Sequence, residues 1–417
     1  MQTLETVSSE IAPLARHFVD AGFRIYLVGG AVRDLLVERR EAVDFDLTTD
    51  AMPGQTEHIV QPLAEAVWTQ GERFGTIGCI INGRDYEITT HRGEFYASSS
   101  RKPRVRFTTD LEADLSRRDF TINSMAVSLP DLNLVDPFEG RADLDAKVLR
   151  TPLSPQISFT DDPLRMLRAA RFVSGYGLVP VPEVVASMRE FAPRLAIVSA
   201  ERIRDEILKL LDLNDPTPGL RLLGDTGVLA QILPEAVAQS EWESVLSMTS
   251  QATGAVVRLA VLLADVPPDV AAARMRALRA TNDETALVRK LVSSRQSFLR
   301  DKWGSRDVRA LYLVGGEDMD AILDYWAALA SGDSGLLQSR EAFLAAASSL
   351  RESENLSDFT PPLDGEQIMD LLGLAPGRQI GEALTMLRRE HISHGPLSAS
   401  QAEVLLRQWH STSESDE

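Results

Sequence analysis

The sequence predicts an α+β fold: a small mixed β-sheet head followed by an all-α neck, body and tail. Three observations carry this expectation. Short apolar runs stopped by glycine or turn residues are concentrated between about residues 20 and 95. From about residue 160 the apolar residues recur at helical spacing, and little β patterning follows residue 150. The length, 417 residues, corresponds to two to four domains at roughly 150 residues each. The expected divisions are 1–150 for the head, 151–235 for the neck, 236–350 for the body and 351–417 for the tail.

The elements follow in order. Residues 1–22 form an amphipathic helix with Ile11, Leu14, Ala15 and Phe18 on one stripe. RIYLVGG (24–30) is a strand ending in a tight turn, and AVRDLLVERR (31–40) restarts as a helix. VDFDLTTD (43–50) alternates as a second strand. TEHIVQPLAEAVW (56–68) has helical spacing. GTIGCIING (75–83) and DYEITTHR (85–92) form a strand pair around Asn82-Gly83, a dipeptide suited to a two-residue hairpin turn. ASSSRKPRVR (97–106) is a polar, basic break. Helical segments then fill 163–177, 181–196, 199–213, 218–233 and 254–266, with breaks at 214–218, 266–268 and 352–362. The final STSESDE (411–417) reads as a disordered acidic tail. No internal repeat recurs at a fixed period.

Composition narrows the function classes. Lys plus Arg is 43 and Asp plus Glu is 61, a formal net charge of −18. Such a chain does not coat nucleic acid non-specifically, because that binding depends on neutralising phosphates; a local basic site remains open. No DNA partner is expected. One cysteine, Cys79, excludes an internal disulfide and a cysteine-cluster metal site, and suits a reducing cytoplasm. The first residues lack the basic and apolar regions of a signal peptide, and no apolar run of about 18 residues suggests a membrane span.

Three motifs carry chemistry. In the first, LVGGAVRDLL leads to Asp44-Phe45-Asp46. Gly29 and Gly30 allow close backbone approach, the following helix start faces anionic oxygens, and Arg33 is one turn away. Alternate residues on a strand share a face, so Asp44 and Asp46 converge and suit Mg2+ held with a nucleotide triphosphate. The plain alternative is an ordinary turn with solvated strand-end aspartates. The second motif is RRDFTINSMA, where Arg118, Asp119 and Asn123 could bind a triphosphate, a carboxylate or a ribose hydroxyl, or form a solvated charge run. The third is DDPLRMLRAARF. Asp161 or Asp162 can cap a helix that Pro163 enters, and Arg165, Arg168 and Arg171 follow three apart. Without acids nearby these arginines would repel one another and an anion would relieve them; the alternative is a surface helix paired with acids elsewhere.

These motifs, in this order and spacing, resemble the class II bacterial tRNA nucleotidyltransferase and poly(A) polymerase family. The resemblance covers at least residues 20–235 and resumes over 363–390. It implies a nucleotidyltransferase head in which Asp44 and Asp46 are the catalytic, metal-holding carboxylates. Gly29, Gly30, Arg33 and Arg118 are then contacts to the nucleotide, with Arg168 and Arg171 as further triphosphate contacts. Asp119 and Asn123 fall where the family reads the ribose, and Asp162 and Arg165 where it reads the base without a template. The implied cofactor is Mg2+, the partners are CTP, ATP and the tRNA 3′ end, and no membrane is involved. The implied reaction is template-independent addition of CCA. Partial addition of CC or A, poly(A) synthesis and a non-catalytic RNA-binding role stand as alternatives.

Two departures from the family pattern bear on function. The acidic pair before the base-reading helix is Asp161-Asp162 where the family usually has Glu-Asp. Close relatives often carry a His-Asp phosphohydrolase domain entered by Leu-Leu-His-Asp; here the stretch is Leu262-Leu263-Ala264-Asp265, and no histidine occurs between residues 92 and 390. The body is therefore expected to be a packing remnant without that activity. The family's flexible loop corresponds to His91–Arg106. Arg274, Arg276, Arg279, Arg388 and Arg389 are candidate RNA contacts, whereas His391 and His394 are expected at the surface.

Overall fold

The computed structural model describes residues 4–37, 45–95, 104–237, 241–300 and 302–413. The chain divides into two units, residues 1–237 and 238–417. In the first unit, a helix over Leu4–Asp20 buries Val7, Ile11, Leu14, Ala15 and Phe18. It precedes β1 (Ile25–Val28), whose four residues are all buried. Gly29 then turns the chain at φ +70°, a conformation L side chains rarely adopt, into a helix over Gly30–Leu36. β2 (Phe45–Thr49) follows with Phe45 and Leu47 buried and Asp46 exposed.

The expected helix over 56–68 is corrected. The helix spans Pro53–Val60 and stops before Pro62, which has no amide to continue it. Ala66–Trp68 is instead an edge strand, β3, antiparallel to β4 (Thr76–Ile81). Gly78 faces Trp68 in that pair, and a Cβ there would lie 2.1 Å from the indole. β4 turns through Asn82 and Gly83, both at positive φ, into β5 (Arg84–Thr90), as the dipeptide predicts. β6 (Arg92–Phe95) and β7 (Arg104–Phe107) form a separate antiparallel ribbon. The end of the expected polar break is thus strand, while 96–103 lie outside the described residues.

β8 (Ala126–Leu129) and β9 (Leu134–Val135) complete a seven-stranded sheet in the order β3-β4-β5-β2-β1-β8-β9. They were not expected from the sequence: the run is four residues long and is closed at once by Pro130. The β2–β5 pairing is parallel and the others are antiparallel. Helices over Pro155–Asp161, Arg165–Tyr176, Pro182–Phe191, Ala200–Leu211 and Thr217–Asp225 follow in the same unit. Phe120, Phe159 and Phe172 are fully buried there, with Phe120 edge-on to Phe172 at 5.5 Å.

The second unit is helical among its described residues. Its breaks fall where proline and polar runs predict them, between Leu262 and Pro268 and between Arg351 and Gly365. An aromatic cluster fills it: Phe298 stacks on Trp326 at 4.5 Å, and Trp303 and Phe343 meet edge-on at 4.9 Å. Trp326 Nε1 donates to Ser294 Oγ at 2.9 Å. Helices Gly365–Leu372, Arg378–His394 and Ala399–Ser413 close over Ile368, Ala383, Leu387, Ala402 and Leu406. Two expectations are corrected here. Ser411–Ser413 belong to the last helix rather than to a disordered tail, residues 414–417 lying outside the description. His391 is buried against Phe359, whereas His394 is at the surface beside Glu390.

Candidate active site

The first two motifs meet at Gly29. A Cβ on Gly29 would lie 2.9 Å from Arg118 Nη1 and 3.7 Å from Asp46 Oδ2. The missing side chain is what lets a guanidinium and a strand carboxylate come together beside the turn. Asp46 stands exposed on β2, and Glu87, also exposed, is its registered partner on β5. Asp44 lies outside the described residues, and among the described residues no three-ligand cluster forms. Oxygen-only donors on adjacent strands are the set a hard divalent cation takes. Arg118 Nη2 lies 3.3 Å from Asp114, while its buried Nε has no hydrogen-bond partner.

Behind this point runs a chain of charged groups. Arg33 is buried: Nη1 donates to Asn123 Oδ1, and Nε donates to Asp34 at 2.9 Å. Its guanidinium lies 4.4 Å from the Tyr176 ring centroid, and Tyr176 Oη donates to Asp34 at 2.7 Å. Asn123 Nδ2 donates to Asp119 Oδ1 at 2.8 Å. Asp119 Oδ2 accepts from Arg168 Nε at 2.7 Å. Glu206, buried on the helix Ala200–Leu211, takes Arg171 Nε at 3.0 Å and lies 3.5 Å from Arg168. The arginines of the third motif are thus not left to repel one another: Asp119 and Glu206 supply the acids. Burial alone would raise the Asp119 pKa, but Arg168 and the Asn123 hydrogen bond outweigh it and hold the carboxyl below its usual range. For Arg168, the two acids outweigh burial and keep it charged.

Asp162 follows one helix and Arg165 opens the next; the Arg165 amide donates to the Asp162 carbonyl at 3.1 Å, while their side chains reach separate partners. Asp162 is extended, its Oδ1 accepting from the Leu164 amide at 3.1 Å and its Oδ2 from Arg202 at 2.7 Å. Arg165 donates to Ser158 Oγ at 2.9 Å and to the Arg117 carbonyl. The expected cap is corrected: Asp161 ends the preceding helix and Asp162 is its C-cap, while the next helix starts at Arg165 behind Leu164, with no side-chain cap and with Pro163 outside it.

The family model described as "Poly A polymerase head domain" matches residues 25–150, and "Probable RNA and SrmB- binding site of polymerase A" matches residues 179–239. The CCA-adding enzyme of Bacillus subtilis (strain 168) is 35% identical over 274 residues, 63% of this chain and 67% of the relative. That of Lactobacillus delbrueckii subsp. bulgaricus is 32% identical over 321 residues, 76% of this chain and 78% of the relative. The chain belongs to the CCA-adding enzyme family. The crystal structure of the Bacillus stearothermophilus CCA-adding enzyme in complex with CTP shares the fold, with a TM-score of 0.77, 24% identity and 100% coverage of both chains.

Within this CCA-adding family member, both family matches stop by residue 239, before the second unit's helices begin. There Asp265, of the Leu-Leu-Ala-Asp stretch, pairs with Arg295 at 2.6 Å. Sequence reasoning missed Asp114, Glu206, Arg202 and Glu87. Two of them carried a signal. Glu206 shares a stripe with buried Ile203, Ile207 and Leu210, an acid on an apolar face. Asp114 stands four residues before Arg118, the spacing of a helical ion pair. Arg202 and Glu87 are pairings that only the fold makes.

Proposed function

We propose that this protein adds CCA to the 3′ end of tRNA from CTP and ATP, without a template. The RNA 3′-hydroxyl attacks the nucleotide α-phosphate in line, and pyrophosphate leaves. The observation that carries the reading is the convergence of Asp46 and Arg118 at Gly29, joining a metal-type carboxylate to a phosphate-type cation.

In this reading Asp44 and Asp46 hold Mg2+, with Glu87 beside Asp46. When bound, the ion lowers the pKa of the attacking hydroxyl and offsets charge on the leaving group. Arg118 presents its Nη1 to the triphosphate beside Gly29, and Arg33 lies beside Gly30. Arg33, Arg168 and Arg171 add positive potential behind it; Asn123 holds Arg33 and Asp119 holds Arg168, and in this reading the same two side chains read the ribose. Asp162 and Arg165 read the base. An ionised carboxylate accepts from the amino group of cytosine or adenine, and a guanidinium donates to the ring nitrogen. Uracil and guanine oppose like with like, at about 1–3 kcal/mol per mispaired group. To read a base, Asp162 exchanges its Arg202 contact and Arg165 its Ser158 contact. The cytoplasm, where tRNA ends are matured, is the proposed compartment.

The test is end-sequencing of a tRNA transcript lacking its 3′ end after incubation with Mg2+, CTP and ATP. Uniform CCA ends support the reading, and Asp46→Ala should lower addition by at least about 10³-fold while leaving the fold intact. Ends stopping at CC would mean partial addition, and long A tails a poly(A) polymerase. No product would leave RNA binding as the function.

A further inference from the structure

Asp114 is fully buried near the end of the helix Leu111–Ser116, and four donor atoms from three residues reach it. Its Oδ1 accepts from the Arg92 backbone amide at 3.2 Å and from Arg117 Nε and Nη2 at 3.0 and 2.9 Å. Its Oδ2 faces Arg118 Nη2 at 3.3 Å. Arg92 opens β6, so its amide is the root of the β6–β7 ribbon. Arg118 is the guanidinium at Gly29 beside Asp46. The Arg117 carbonyl accepts the hydrogen bond from Arg165. One carboxylate thus touches the ribbon's root and the phosphate-facing arginine, and it fixes the residue whose carbonyl holds the base-facing arginine. A structural counterion needs one partner, and this carboxylate has donors arranged toward three destinations. Burial alone would raise its pKa, but Arg117 and Arg118 outweigh it and keep it ionised.

We propose that Asp114 is a positioning residue that couples the β6–β7 ribbon to Arg118 and, through Arg117, to Arg165. The idea rests on the nucleotide-adding reading above. When a nucleotide draws Arg118 toward its phosphates, the pull is transmitted through Asp114 to the ribbon root. Any movement of the ribbon in turn resets the two arginines that face the nucleotide.

The experiment is a double-mutant cycle in the full chain, with Asp114→Asn and Arg118→Ala separately and together, measuring kcat and KM for CTP on a tRNA lacking its 3′ end. The expected result is a KM raised about tenfold by Asp114→Asn with kcat within about threefold, and little further loss when Arg118 is already alanine. Asp114→Glu should recover part of the KM. Effects that multiply independently, or a loss in kcat and Tm with KM unchanged, overturn the coupling. A readout that needs no Asp114 variant is hydrogen exchange at the Arg92 amide. CTP should slow it several-fold in the unmutated chain and leave it unchanged in Arg118→Ala; no response to CTP in the unmutated chain, where CTP is used, also overturns the proposal. An unmutated chain that adds no nucleotide sinks the functional reading itself, which the cycle distinguishes from a failure of coupling alone.

Discussion

The two units are held together by different physics. The first buries Asp114, Asp119 and Glu206, each facing at least two basic side chains or a guanidinium and an amide. The second is centred on Phe298, Trp303, Trp326 and Phe343, stacked, tilted or edge-on within 4.5 to 5.6 Å. Buried ion pairs return little net stability, because desolvation offsets most of the attraction. Aromatic packing stabilises directly. The contrast teaches where this chain holds charges in place at a cost and where it simply packs. Charge is buried beside Gly29 and Asp46. In the second unit, Arg309 with Glu354 is buried too, but it serves a helix junction, reaching the Ile392 carbonyl.

The largest effect should come from cutting into the aromatic cluster. Trp326→Ala is expected to destabilise the second unit by about 3–5 kcal/mol, read by denaturant unfolding. CTP should still raise the melting temperature of the first unit. A loss under about 1 kcal/mol would mean the cluster is not the unit's core.

Glu206→Gln tests the other side of the contrast. It leaves Arg168 and Arg171 short of a counter-charge, and both keep part of their side chain exposed, which screens the loss. The expected destabilisation is about 2–3 kcal/mol, with weaker CTP binding in a thermal-shift titration. Unchanged CTP binding would make the Glu206 pairs purely structural.

The smallest effect is a pH dependence centred on His91. This side chain is buried, its Nδ1 is 2.8 Å from Thr48 Oγ1, and its Nε2 has no partner. Burial pushes its pKa down from 6.5 to about 4. Between those values the unfolded chain binds a proton that the folded chain refuses, so stability falls as pH drops from about 6.5 toward 4. Asp114 and Asp119, held low, act further down: their contribution is present above the ordinary carboxylate pKa and is lost as pH falls through their depressed values. Calorimetry from pH 7 to 5 should show His91→Gln removing about 2 kcal/mol of this slope. Equal slopes in both proteins would remove His91 as its source.

What could be read from the sequence was local. The Gly-Gly turn, the Asn82-Gly83 hairpin, the strand position of Asp46 and the helical breaks all depend on neighbours in the chain. Misreadings arose where one residue overrode a pattern, as Pro62 stopped a helical run, or where a strand was too short to show alternation, as in β8 and β9. The candidate residues were visible by type, but their partners were not. Arg168 meets Asp119 across 49 positions and Arg171 meets Glu206 across 35. Spacing showed three like charges in a row; only the fold supplied the acids.

The bond from Tyr176 to Asp34 spans 142 positions of sequence. It has a consequence for synthesis on the ribosome, where chains emerge from the N-terminus first. When the last strand of the seven-stranded sheet leaves the exit tunnel, Tyr176, Arg168 and Glu206 are still inside or untranslated. Arg33 and Asp119 then wait without the groups that seat them. A nascent chain halted just as Val135 clears the tunnel would hold its sheet with its charges unset. Competence to take a nucleotide therefore arrives as a late event, only after the helix Ala200–Leu211 has been released to fold back on what came before it.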